Sequence, residues 1–157
     1  MKKILGTFFV VAIVGWLVFL FFNSSEGYAD SNMRSYYFLE KLNINNGEIS
    51  YETNILIRKL AHLFEYMVLA VILIIIFKLF SFRKSTLCTT TLFLIILIGT
   101  LDEFYQSFIP GRSSLVSDVL IDTLGGVLAV ILYLFLAEIR YLIKKRKALS
   151  RSKHISN

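Results

Sequence analysis

Residues 115–136 read LVSDVLIDTLGGVLAVILYLFL, twenty-two residues with two carboxylates and no basic side chain. A helix on the surface of a soluble protein keeps one polar face, whereas one apolar all round is buried or surrounded by lipid. About 20 such residues cross a hydrocarbon core of roughly 30 Å. Three further blocks repeat the pattern: 4–22 without a charge, 60–77 with His62 and Glu65, and 86–101 without a charge. The 157-residue chain is 56% hydrophobic and 18% charged, with a mean hydropathy of +0.68. Soluble domains carry roughly 45–50% apolar and about 25% charged residues. These features exclude a disordered chain, a disulfide-stapled secreted scaffold and a soluble nucleic-acid binder. They predict an all-α integral membrane protein, one domain over 1–157 with transmembrane helices near 4–22, 60–77, 86–106 and 115–136.

Charge placement sets the expected orientation. Of 17 basic residues, 12 fall in three places: Lys2 and Lys3; Lys78, Arg83 and Lys84; and seven between Arg140 and Lys153. Four spans put all three places on one side, which the positive-inside rule makes cytoplasmic, with both termini. The basic tail at 137–157 then reads as an anchor attracted to anionic membrane lipids, with no recognition motif for nucleic acid. Cys88 is the single cysteine, so no disulfide forms within the chain. Lys2, Lys3, the apolar run and the small residues Gly27 and Ala29 imitate a signal peptide. At 19 residues the run exceeds the roughly 7–15 of a usual signal core, favouring a retained first helix over a cleaved one.

The segment 23–57 balances Glu26, Asp30, Glu40, Glu48 and Glu52 against Arg34 and Lys41, and it reads as an external interfacial helix plus a loop with a turn at 43–47. Between the third and fourth spans, Pro110 and Gly111 suit a tight turn, and Ser113 or Ser114 suits a helix cap.

Ionisable residues are costly inside a bilayer, so their grouping is informative. They form three sets: Arg58, Lys59, His62 and Glu65; Asp102, Glu103 and Gln106; and Arg112, Asp118 and Asp122. With the topology above, the first begins helix two, the second ends helix three and the third begins helix four. Spacings of three and four place Arg58, Lys59, His62, Glu65 and Tyr66 on a shared helical face. Asp102 and Gln106 are likewise four apart, as are Asp118 and Asp122. The expectation is an outward-facing polar cavity lined by helices two, three and four. The positive N-terminal ends of helices two and four, with Arg58, Lys59 and Arg112, would seat a phosphate or another anionic head group.

Each group admits a structural reading beside the functional one. His62 and Glu65 lie one turn apart, yet the familiar helical di-metal motif runs Glu-x-x-His, so a hydrogen-bonded network with Lys59 is preferred and no metal or cofactor is assigned. Asp102 and Glu103 suit a general acid and base, or a pairing of Asp102 with Arg112 or Lys59. Arg112 serves either as a bidentate anion clasp or as an anchor partnering Asp118. Gln106 reads as a hydrogen-bonding lock, and Gly125 with Ala129 as a close helix contact.

The stretches RKLAHLFEY (58–66) and DEFYQSFIPGR (102–112), followed by Asp118, Asp122 and Gly125, resemble the VanZ-like family of bacterial membrane proteins. That family shows Lys-x-x-His at a helix start, Asp-Glu-x-x-Gln-x-Phe, an Arg after a turn, and an Asp followed by Asn or Asp before Gly. Asp122 stands where many members carry Asn. The resemblance covers residues from about 58 to 136 and implies a small multi-helix membrane protein, in some members linked to lowered teicoplanin susceptibility. The expected function is recognition of a cell-envelope component, such as a lipid-linked cell-wall precursor or an anionic envelope polymer. Here Arg58, Lys59 and Arg112 would hold the anion, while His62, Glu65, Asp102, Glu103 and Asp118 would orient it or move a proton. The alternatives are a small membrane enzyme acting on a lipid head group, or a cation- or proton-coupled carrier.

Overall fold

The computed structural model describes residues 2–41, 51–110, 112 and 114–155. It contains α1 (Lys2–Ser25), α2 (Tyr28–Lys41), α3 (Tyr51–Leu79), α4 (Lys84–Gln106) and α5 (Val116–Ile155). Four of these are long and apolar enough to cross a membrane, over Gly6–Ser25, Glu52–Leu79, Lys84–Gln106 and Val116–Ser150. The fifth, α2, has 14 residues and is weakly polar on average. The expected all-α, four-span architecture is therefore present, with a short helix between the first two spans. The turn expected at 43–47, together with Glu48, Gly111 and Ser113, lies outside the described residues.

Two boundaries differ from the sequence expectation. α3 begins at Tyr51 rather than near residue 60, because Arg58 and Lys59 end the apolar run without ending the helix. α5 continues through the basic tail to Ile155. After Gly126 that segment holds no Gly or Pro, and Ala, Leu, Lys and Arg all favour helix. At 1.5 Å per residue its 40 residues extend about 60 Å, more than the roughly 40–45 Å of a whole bilayer.

α3 is the hub, packed against every other helix. Its closest partner is α5, and glycine makes that contact possible. A Cβ on Gly125 would lie 2.3 Å from the Leu63 carbonyl oxygen, so the α3 and α5 backbones touch there. Gly126 serves the other side, where a Cβ would meet Ile95 of α4 at 2.9 Å. Adjacent glycines thus admit a different neighbour on each flank. Below them Leu69, Ala70, Leu73, Leu87, Ile95 and Ala129 form a buried apolar core.

The α3–α4 turn closes as a Schellman motif. Phe82 N–H donates to Phe77 O at 3.0 Å and Ser81 N–H to Lys78 O at 3.1 Å. The Phe77 and Phe82 rings stack with centroids 5.0 Å apart, supplying the apolar contact that accompanies this motif. Ser81 takes the left-handed position, φ 59°, usually given to Gly. These antiparallel connections gather the ends of α1 and α4, the first half of α3 and the start of α5 at one end of the bundle.

Candidate functional site

At that end, polar side chains of α1 hold the assembly together. Asn23 Nδ2 donates to Glu65 Oε1 at 2.8 Å, and its Oδ1 accepts from Arg34 of α2 at 2.9 Å. Trp16 Nε1 donates to the Glu65 backbone carbonyl at 3.1 Å. Arg34 also pairs with Glu26. The spacing of Trp16, Leu20, Asn23 and Ser24 puts them on one helical face, the face α1 turns toward its neighbours.

Gln106 is the junction between α4 and the rest. It is buried, donates to Asp102 Oδ2 at 2.8 Å and to Ser24 Oγ at 3.4 Å, and accepts from Arg112 Nη1 at 2.7 Å. Arg112 also donates from Nε to Glu26 O at 3.0 Å and from Nη2 to Asn23 O at 3.3 Å. Its own N–H closes the turn around Pro110 by bonding Ile109 O at 3.2 Å. Its three side-chain acceptors among the described residues are neutral oxygens, so these contacts fix the guanidinium without cancelling its charge. Burial, and then the like charge of Arg58, push its pKa below the ordinary value. An arginine nevertheless stays cationic.

A second cluster lies deeper. Asp122 of α5 is buried, with its Oδ1 3.7 Å from His62 Nδ1 of α3. It packs over Gly99 of α4, where an added Cβ would meet Asp122 Oδ2 at 3.3 Å and Tyr66 Cε1 at 3.6 Å. Both Asp122 oxygens, His62 Nδ1 and the Tyr66 hydroxyl are buried without a hydrogen-bond partner among the described residues. Leaving several polar atoms unpaired in one place is costly, which marks the spot as a functional candidate.

The remaining acids are separate. Glu103 is buried and caps α5: Leu115 N–H donates to its Oε2 at 3.0 Å, and Ser114 bonds the same carboxylate. A cap for α5 is therefore supplied across the loop from α4, with Ser114, one of the two expected caps, bonded to it; Ser113 lies outside the described residues. Asp118 accepts from Ser117 Oγ at 3.2 Å in the exposed first turn of α5, and its expected pairing with Arg112 is not formed. Nor do Asp102 and Arg112 meet directly, because Gln106 stands between them.

A cavity of about 490 Å³ opens beside these clusters. Arg34, Arg58 and Arg112 line it from three different elements, with Asn23, Ser35, His62 and Glu65. Ile57, Leu60, Ala61 and Phe64 of α3 form its apolar flank. Its lining among the described residues comes from α1, α2, α3 and the α4–α5 loop, so of the three spans expected to form it only α3 contributes. Lys59, Tyr66, Asp102, Glu103, Gln106, Asp118 and Asp122 are not on its wall. The helix-end seat for an anion also needs correction. Arg58 lies seven residues into α3, whereas the dipole acts within the first turn, and the N-terminus of α5 is taken by Glu103.

Sequence reading missed Asn23, Ser24, Arg34 and Trp16. The usable signal was the four-and-three spacing of Trp16, Leu20 and Asn23 along an otherwise featureless span. Among the described residues, no group of three metal-ligating side chains comes together.

Neither curated proteins nor solved structures yield a match to this sequence. The VanZ/LLP1 family profile matches residues 9–137, from within α1 to the middle of α5. With most of the chain covered, including both polar clusters and the helices that hold them, the protein belongs to the VanZ/LLP1 family.

Proposed function

We propose that the arginine-lined cavity recognises the anionic head group of an envelope amphiphile, of the class of lipid-linked cell-wall precursors, at the outer face of the cell membrane. The supporting observation is the convergence of Arg34, Arg58 and Arg112 on one space that also has an apolar α3 flank. Guanidinium matches phosphate bidentately, and Ile57, Leu60 and Phe64 offer a surface for the first isoprenoid or acyl carbons. Orientation rests on charge: the opposite end of the bundle carries Lys78, Arg83, Lys84 and the basic stretch of α5, which favours a cytoplasmic location for that end and for both termini. By family analogy, capture of such a precursor lowers teicoplanin susceptibility. The test compares teicoplanin and vancomycin susceptibility in strains lacking the protein, carrying it, or carrying Arg58→Gln. A graded loss of teicoplanin tolerance supports the proposal; identical responses in all strains remove the resistance role.

A second reading, proton-coupled chemistry, draws on the His62–Asp122 pair. An unpaired buried carboxylate 3.7 Å from an imidazole suits a proton held between them. His62 also lines the cavity, linking the two clusters. His62→Ala and Asp122→Asn that accumulate normally yet lose function would favour it.

A further inference from the structure

α3 and α5 touch at Gly125 and separate toward the opposite end of the bundle. A groove of about 940 Å³ opens there, beginning beside Ala129. Its walls are apolar, from Val71 and Ile75 on α3 and Leu132 and Leu136 on α5. Among the described residues its rim carries four cations and no carboxylate: Lys78 at the end of α3, and Arg140, Lys144 and Lys147 on α5. Intervals of four and three put the last three on one face of α5, toward α3. Lys145 and Arg146, between them in sequence, are exposed and lie off the groove.

Like charges four apart on a helix repel, so this rim is electrostatically unfavourable until an anion arrives. The apolar wall from Val71 to Lys78 rises about 10 Å, enough to cover the upper part of an acyl chain. We infer that this groove is a site for one anionic phospholipid, its phosphate under Lys78, Arg140, Lys144 and Lys147 and one chain between α3 and α5. Charge complementarity selects an anionic lipid over a zwitterionic one, and the groove distinguishes a seated lipid from diffuse attraction to the tail. The site lies at the far end of the bundle from the arginine cavity and does not depend on it.

The test is native mass spectrometry of the purified full chain in detergent, with phosphatidylglycerol or phosphatidylethanolamine added. Wild type should retain one phosphatidylglycerol in preference to phosphatidylethanolamine. Lys78→Gln/Lys144→Gln should weaken retention roughly thirty-fold, from about 1 kcal/mol per basic residue. Lys145→Gln/Arg146→Gln, which removes the same net charge beside Lys144 but off the groove, should leave retention unchanged. Ala137→Trp, filling the groove with every cation in place, should also abolish it. Equal retention of the two lipids, equal loss in both double variants, or full retention by Ala137→Trp would each overturn the assignment.

Discussion

Gly125→Ala should damage both the fold and the deep cluster, and Gly126→Ala should do less harm. The Gly125 Cβ would sit 2.3 Å from Leu63 O and 3.1 Å from Met67 N, both backbone atoms of a rigid helix. Relief requires α3 and α5 to part by about 1 Å. Overpacking costs about 1–3 kcal/mol, and a backbone obstacle places this case at the upper end. Helix propensity returns about 0.8–1.0 kcal/mol, leaving a net loss of about 2 kcal/mol. At Gly126 the obstacle is the buried Ile95 side chain, its Cγ2 2.9 Å away; a side chain yields more readily than backbone, so the loss should be smaller than at Gly125. Leu63 adjoins His62, and Gly125 lies one turn from Asp122, so parting the helices also lengthens the 3.7 Å His62–Asp122 contact. The assay is thermal unfolding in detergent, followed by helical circular dichroism and by emission of the single tryptophan, Trp16. Equal melting of Gly125→Ala and wild type, or greater loss in Gly126→Ala, would refute the proposed backbone contact.

Three further outcomes are expected. Glu103→Ala removes the acceptor for Leu115 N–H and should cost about 1–2 kcal/mol, while Glu103→Gln, which keeps an acceptor, should recover most of it in the same melt. Asn23→Ala breaks the links to Glu65 and Arg34, so α1 should loosen by about 1–3 kcal/mol and Trp16 emission should shift to the red; an unchanged spectrum would contradict its clamping role. Ser81→Gly relieves a left-handed residue and should stabilise the chain by about 1 kcal/mol, an outcome checked by a raised melting temperature.

The four spans were legible because lipid imposes one strong signal, a long apolar run, and 4–22, 60–77, 86–101 and 115–136 carry it. The same signal hid the start of α3. Hydropathy ends at Leu60, but helix geometry continues through Lys59 and Arg58 to Tyr51, shifting both cations from a helix end into its interior. Ionisable residues revealed which end of each helix mattered, since each is costly in a bilayer. They did not reveal how the ends would subdivide. Glu103 caps α5, Gln106 separates Asp102 from Arg112, and Asp122 joins His62, and each arrangement depends on helix rotation within the bundle. Asn23 and Ser24 were overlooked because neutral polar residues at the end of a span look like ordinary interface.

Equilibrium binding of a short-chain prenyl diphosphate to the purified protein, measured calorimetrically in detergent, decides whether the three-arginine cavity is an anion site. Wild type and Lys59→Gln, altered one residue from Arg58 but off the cavity wall, should bind alike. Arg34→Gln/Arg58→Gln should bind at least about 100-fold more weakly, at about 1.5–3 kcal/mol for each charged hydrogen bond lost. Undiminished binding by that double variant, with its melting temperature intact, would contradict recognition by these arginines.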